Sequence, residues 1–253
     1  MSSREIRALD GSVGSVLRGK RKAVKMSIVC LLARGHLLIE DVPGVGKTTL
    51  ALSLARSINA SFQRIQFTSD LLPADITGVS IYNPETRQFE FKPGPVFANI
   101  VLADEINRTN PKTQSALLEA MNERHVSADG KTYPLPEPFM VIATQNPVEH
   151  HGTFPLPESQ LDRFMMHLTL GYPAHEDEKQ VLLEHMGFAQ IERMKPVLDA
   201  ADVVRMQDGA DQVRADESIL DYILAIVAET RRHDRIVLGA STRGARFLLR
   251  AAM

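Results

Sequence analysis

The stretch that most constrains this chain is DVPGVGKTT, Asp41 to Thr49, set between an apolar run and an amphipathic segment. HLLIE (His36–Glu40) before it reads as a buried strand. TLALSLARSINA after it reads as a helix, with Leu50, Leu54 and Ile58 forming one apolar stripe. A Gly-rich turn that joins a strand to a helix and ends in Lys-Thr is the context of a phosphate-binding loop. Gly44 and Gly46 let the backbone amides of Pro43–Thr49 (Pro43, which has no N–H, with Gly44, Val45, Gly46, Lys47, Thr48 and Thr49) close around an anion. Lys47 is placed to reach β- and γ-phosphates and the Thr48 hydroxyl to ligate Mg²⁺, with the helix N-terminus adding its dipole. The usual pattern opens on Gly, and Asp41 stands in that position. The amides expected to touch phosphate belong to residues 44–48, so binding is expected to survive the change.

A second motif stands downstream. In NIVLADEINR, four apolar residues lead into Asp104-Glu105, so a buried strand carries two carboxylates at its C-terminal end, where ligands bind in α/β sheets. Asp104 is the expected Mg²⁺ ligand, and Glu105 the group that polarises a water for attack on the γ-phosphate. FMVIATQNP reads as another buried strand with Thr144, Gln145 and Asn146 at its polar end. Asn146 is expected across from Glu105, positioned to orient that water.

Composition sets the bounds. The chain has 253 residues, 44% hydrophobic and 24% charged, enough for a sizeable core in one large domain or two smaller ones. A net charge of −2 supplies no general field toward nucleic acid or anionic membrane. The single cysteine, Cys30, lies in the apolar run SIVCLLA and reads as core. No apolar segment reaches membrane-spanning length and no signal peptide precedes the first charges, so a cytoplasmic protein is expected. The eight histidines, His150-His151 and His167 among them, show no zinc spacing.

Along the chain, AVKMSIVCLLARG reads as a helix with Val24, Ile28, Leu31 and Leu32 inward. FQRIQF (Phe62–Phe67) reads as a strand. SIYN and QFEFKPG form a hairpin around NPETR, and HVSADGKTYPL a second hairpin on the turn signal Asp129-Gly130. Asn110 and Pro111 are a helix cap and first position, with Leu117 and Met121 inward. Beyond Pro173 helices dominate, near 175–186, 196–206, 216–232 and 242–253. LDYILAIVAETRR is apolar nearly all round and is expected at the centre of a small helical lid.

DVPGVGKTT, ADEINR, IATQNP, PLPESQLDRF and STRG, in this order, resemble the MoxR family of AAA+ ATPases over nearly the whole chain. The resemblance implies an α/β fold: a three-layer αβα P-loop NTPase core at 1–172, with inserted hairpins near 78–93 and 125–135. A helical lid follows at 173–253, partial because family members continue past this length. It implies ATP and Mg²⁺ as cofactors and a homo-oligomer, a hexameric ring, with nucleotide at the subunit interfaces. ATP hydrolysis would then remodel or mature a protein client, in company with a von Willebrand factor A domain protein. It also implies Asn146 as sensor 1, Arg163 as arginine finger and Arg243 as sensor 2. By itself Arg163 reads as a surface ion-pair residue. Its planar, permanently charged fork nonetheless suits spread transition-state charge, for which such fingers contribute about 10³–10⁵ in rate. Arg243, two residues after the N-cap Ser241, falls in the first turn of a helix.

Two other classes stay open. A nucleic-acid motor on the same core would use the first hairpin, where Tyr82, Phe89, Phe91, Arg87 and Lys92 are offset by Glu85 and Glu90. A nucleotide switch, or the ATPase subunit of a metal chelatase, is opposed in part by the intact Asp104-Glu105 pair. No N-K-x-D guanine signature is present, which favours ATP over GTP.

Overall fold

The computed structural model describes residues 3–147, 152–184 and 187–253. The His150-His151 pair lies outside the described residues.

Two helices come first, α1 (Ser3–Val16) and α2 (Arg21–Leu32). Strand β1 (Leu37–Glu40), the phosphate-loop candidate and α3 (Lys47–Ser57) follow, then β2 (Phe62–Gln66) and a short α4 (Pro73–Thr77). β3 (Gly78–Asn83) and β4 (Gln88–Pro93) form the first antiparallel hairpin. β5 (Ile100–Asp104), a single 3₁₀ turn and α5 (Pro111–Glu123) lead to the second hairpin, β6 (His125–Ala128) with β7 (Lys131–Pro134). After β8 (Met140–Gln145), α6 (Glu158–Leu161) and β9 (Met166–Leu168), helices alone continue. They are α7 (His175–Glu184), α8 (Gly187–Glu192), α9 (Ala200–Asp211), α10 (Glu217–Arg232) and α11 (Thr242–Ala252).

The five long-range strands form one parallel sheet in the order β2-β5-β8-β1-β9. A parallel sheet is covered on both faces, which is why β1, β5 and β8 are apolar without alternation. Period-2 geometry sorts their side chains. Leu37, Ile39, Ile100, Leu102, Met140 and Ile142 pack with α1, α2 and α3. Leu38, Val101, Ala103, Val141 and Ala143 pack on the other face with Leu117 and Met121 of α5. The expected stripe Leu50, Leu54, Ile58 is fully buried, as is Cys30, whose thiol pKa is pushed up by that burial.

Because the strands are parallel, the sheet has a C-terminal edge, carrying Asp41, Glu105 and Asn146, and an N-terminal edge, carrying His36, Asn99 and Met165. Both hairpins form as expected, with positive φ at Asp129 and Gly130 in the second turn. They also lean on each other: Phe91 stacks on Tyr133 with ring centroids 4.2 Å apart, and Ser80 hydrogen-bonds Asp129.

The helical region departs from expectation at α10. Only Ile223 and Val227 of this helix are buried, against Ala245 and Leu249 of α11, while Tyr222 and Leu224 are 66% and 58% exposed. α10 is therefore not the centre of a helical cluster. Ala245 and Leu249 of α11, with Ala240 before it, cover one stripe of the helix, while Tyr222, Leu224 and Ile226 are exposed. α9 packs elsewhere: Val203 and Met206 join the main core, and Gln207 donates to the Leu31 carbonyl at 2.7 Å.

Candidate nucleotide site

The loop after β1 has the backbone of an anion cradle. Gly44 and Gly46 sit at φ +84° and +99°, the left-handed region that lets successive amides point to one side. A side chain on Gly44 would meet nothing within 4 Å, so the loop is open on the side its Cβ would face. Gly46 caps α3 and Leu50 N–H closes on its carbonyl at 2.9 Å, so the helix dipole begins where the loop ends.

Asp41 is accounted for. Its Oδ2 accepts from the Leu170 and Gly171 amides, both at 2.6 Å, and its Oδ1 from the Val42 amide at 2.9 Å. The carboxylate thus stitches the start of the loop to the segment after β9 and is spent on backbone away from residues 44–48. The Asp41 carbonyl accepts Lys47 Nζ at 2.7 Å. Burial pulls the Lys47 pKa below its usual value, opposed by Asp104, Asp41 and Glu105, which places its ammonium beside the acid pair.

Asp104 and Glu105 leave β5 at the same edge. Asp104 Oδ1 accepts from Thr144 Oγ1 at 2.6 Å, and the same hydroxyl oxygen accepts from the Glu105 amide at 2.9 Å. Thr144 is fully buried, so one hydroxyl orients both acids. Glu105 is held at φ +57°, an uncommon conformation for this residue type that turns its side chain off the strand line. Asn146 follows β8 at this edge and is buried. Sequence reasoning named Asn146 and passed over Thr144 as one polar residue among three. Its signal was a hydroxyl at the end of the apolar run MVIA.

Leu17 Cδ1 lies 3.0 Å from where a side chain on Gly46 would begin, so the α1–α2 connection adjoins the loop. Beside it opens a cleft of 890 Å³ lined by Gly14, Leu17, Gly19, Lys22, Val24 and Asp177, among others. Gly19 (φ +71°) admits Asp177 so closely that a side chain there would start 2.3 Å from its carboxylate. The residues therefore fit Mg²⁺·ATP: an open amide cradle, a lysine, a hydroxyl at Thr48, a carboxylate at Asp104 and a cleft for the base. Among the described residues no group of three or more His, Cys, Asp or Glu is placed to hold a metal ion.

The two arginines lie elsewhere. Arg163 precedes β9, whose pairing with β1 (Leu37 opposite Met166) puts it at the N-terminal edge. Its Nη1 donates to the Leu118 carbonyl at 2.9 Å. Ser241 caps α11, accepting from Gly244 N–H at 2.9 Å, and donates to Asp162 at 2.5 Å, while Arg243 pairs with the other Asp162 oxygen at 3.3 Å. Arg163, Arg243, Arg246 and Arg124 line one cavity of 160 Å³ with His36. β1 separates this cluster from the loop by about 16 Å at ~3.3 Å per residue, longer than an arginine side chain. At that separation neither arginine reaches the loop of its own chain.

His36 anchors that edge. Its Nδ1 accepts the Val141 amide at 3.0 Å, so Nε2 carries the proton and donates to the Met121 carbonyl at 3.1 Å. Burial, with Arg124 nearby, lowers its pKa to about 4.

A parallel β2-β5-β8-β1-β9 sheet with a Gly-Lys-Thr loop after β1 and an Asp-Glu pair after β5 defines a P-loop ATPase of the AAA+ class. Residues 36–166 match the model of the ATPase family associated with various cellular activities (AAA). YeaC of Bacillus subtilis is 55% identical over 95% of this chain and 75% of its own. The chaperone MoxR1 of Mycobacterium tuberculosis is 42% identical over 98% of this chain and 68% of its own, and the MoxR protein of Methylorubrum extorquens 30% over 95% and 76%. A crystal structure from Cytophaga hutchinsonii superposes with a TM-score of 0.87 at 41% identity, covering 99% of this chain and 79% of that one. The chain belongs to the MoxR-type AAA+ ATPases. Among the described residues no helix is long and apolar enough to cross a membrane.

Proposed function

We propose that this chain binds Mg²⁺·ATP at the C-terminal edge of its sheet and completes hydrolysis only with a neighbouring copy, whose N-terminal edge supplies Arg163 and Arg243. The observation that carries this reading is the placement of the two half-sites on opposite edges of one sheet. Amides of 44–48 and Lys47 hold the phosphates. Thr48 and Asp104 would hold Mg²⁺, which would supply positive charge to neutralise the phosphates. Glu105 accepts a proton from the attacking water, with Asn146 orienting it and Thr144 fixing both acids. Arg163 and Arg243 stabilise charge on the neighbour's γ-phosphate.

Edge-to-edge contact of this kind is heterologous, and a rotation that closes gives a ring. Six copies is the closure proposed from the family. MoxR1 is named a chaperone, and we extend that role to this chain: remodelling of a protein client, alongside a von Willebrand factor A domain protein. The exposed apolar side chains of the first hairpin, Val79, Ile81, Tyr82 and Phe89, suit contact with a polypeptide better than with a phosphate backbone.

Turnover per subunit measured against protein concentration tests the shared site. Specific activity is expected to rise with concentration, and Arg163→Ala to lower kcat by about 10³-fold with nucleotide binding retained. Full activity in dilute, demonstrably monomeric protein would overturn it.

A further inference from the structure

β2 is an edge strand, and its last polar side chains, although exposed, reach the acid pair that ends the neighbouring strand. Period-2 alternation puts Arg64 and Gln66 on one face, and pairing with β5 sets Gln66 opposite Asp104. Arg64 Nη2 and Nε both donate to Asp104 Oδ2, at 2.6 and 3.1 Å. Nη2 also donates to Gln66 Oε1 at 2.9 Å, and Gln66 Nε2 donates to Glu105 Oε2 at 2.9 Å.

The two oxygens of Asp104 are thus held in different ways. Oδ1 takes the hydroxyl of Thr144, which is fully buried and belongs to the central sheet. Oδ2 takes a guanidinium whose side chain is 50% exposed, on a long flexible stem at the sheet edge. A largely buried carboxylate left without a partner is costly, so some cation must face it. A guanidinium and a divalent cation compete for Oδ2, because two positive charges at that separation repel.

We propose that Arg64 is a displaceable counter-ion for Asp104. Its guanidinium neutralises Oδ2 and must release it before Asp104 can join a metal shell, so metal affinity is set by an exchange rather than by an open ligand. This rests on the reading of Asp104 as the Mg²⁺ ligand. Thr144 keeps the carboxylate aimed during the exchange, and Arg64 has solvent to swing into.

The test is Mn²⁺ titration in saturating ADP, with free Mn²⁺ read by electron paramagnetic resonance, on the wild-type chain, Arg64→Gln, Asp104→Asn and the double variant. Arg64→Gln is expected to tighten Mn²⁺ by roughly three- to ten-fold, the scale of a half-exposed ion pair held by two nitrogens. Arg64→Met, which keeps most of the stem, should repeat the gain. Asp104→Asn is expected to weaken Mn²⁺, and adding Arg64→Gln to it should gain nothing. If Asp104→Asn weakens binding while Arg64→Gln leaves it unchanged or weaker, the exchange is refuted and the ligand reading stands. An equal gain in both backgrounds would make Arg64 a diffuse charge and refute it too. Unaltered Mn²⁺ affinity in Asp104→Asn would overturn the ligand reading and the exchange together.

Discussion

At the C-terminal edge of the sheet the polar side chains are tied to one another: Thr144 to Asp104, Arg64 to Asp104, Gln66 to Glu105, Lys47 to the loop carbonyl. At the N-terminal edge the arginines are tied to other groups, Arg163 to a helix carbonyl and Arg243 to the partly buried Asp162, around a cavity that several cations share. The first edge is a closed network with room for phosphate. The second is a surplus of positive charge with few carboxylates. The strands that join the two edges also hold them apart.

Mixing two variants breaks or sharpens that contrast most strongly. Lys47→Ala and Arg163→Ala chains are each expected to be nearly inactive. A one-to-one mixture should regain about a quarter of wild-type turnover, since a quarter of heterologous interfaces pair an intact loop with an intact arginine. No recovery in mixed, assembled protein would place both halves in one chain.

Next in size is the stitch at the first edge. Asp41→Ala strands the amides of Val42, Leu170 and Gly171 in a buried site, and a loss of about 4 kcal/mol is expected from urea unfolding. An Asp41→Ala protein of wild-type stability would mean that the loop does not depend on β9.

The second edge is expected to respond to pH through His36. Its pKa is near 4 folded and about 6.5 unfolded. The unfolded chain therefore binds more protons between those values. Stability from the neutral ring is fully present above about pH 6.5 and is lost as pH falls toward 4, by about 3 kcal/mol in all. Unfolding midpoints at pH 7 and 4.5 measure it, and His36→Gln should flatten the difference. A wild-type slope surviving in His36→Gln would assign it to other groups.

The smallest expected effect is at the cap of α11. Ser241→Ala removes the bonds to Gly244 and Asp162 and should cost about 1 kcal/mol, read as faster hydrogen exchange in the first turn of α11. Core strands should be unaffected, because α10 and α11 form a separate apolar cluster.

Much of the first edge was legible in the chain. Gly44, Gly46 and Lys47 announce their roles through backbone freedom and charge at fixed spacing, and Asp104-Glu105 through the apolar run ahead of them. Such signals are local, so a linear reading captures them. The parallel sheet follows from β1, β5 and β8 being apolar on both faces. Thr144, Arg64 and Gln66 were not legible, although the alternation in FQRIQF puts Arg64 and Gln66 on one face. Which strand lies beside β2 decides what that face meets, and pairing is not encoded in β2 alone. The exposed sides of α10 escaped for a related reason: apolar residues all round a helix state a demand for cover, not its supply.

The sequence by itself determined a nucleotide loop, an acid pair at a strand end and a helix-capped arginine, because each rests on contacts within a few residues. Tertiary structure decided that the Asp41 carboxylate is taken by the backbone just after β9, that Arg64 sits on Asp104, and that Arg163 and Arg243 share an edge remote from their own loop. Those outcomes depend on strand order and direction, which are set by how two faces of one sheet are buried at once.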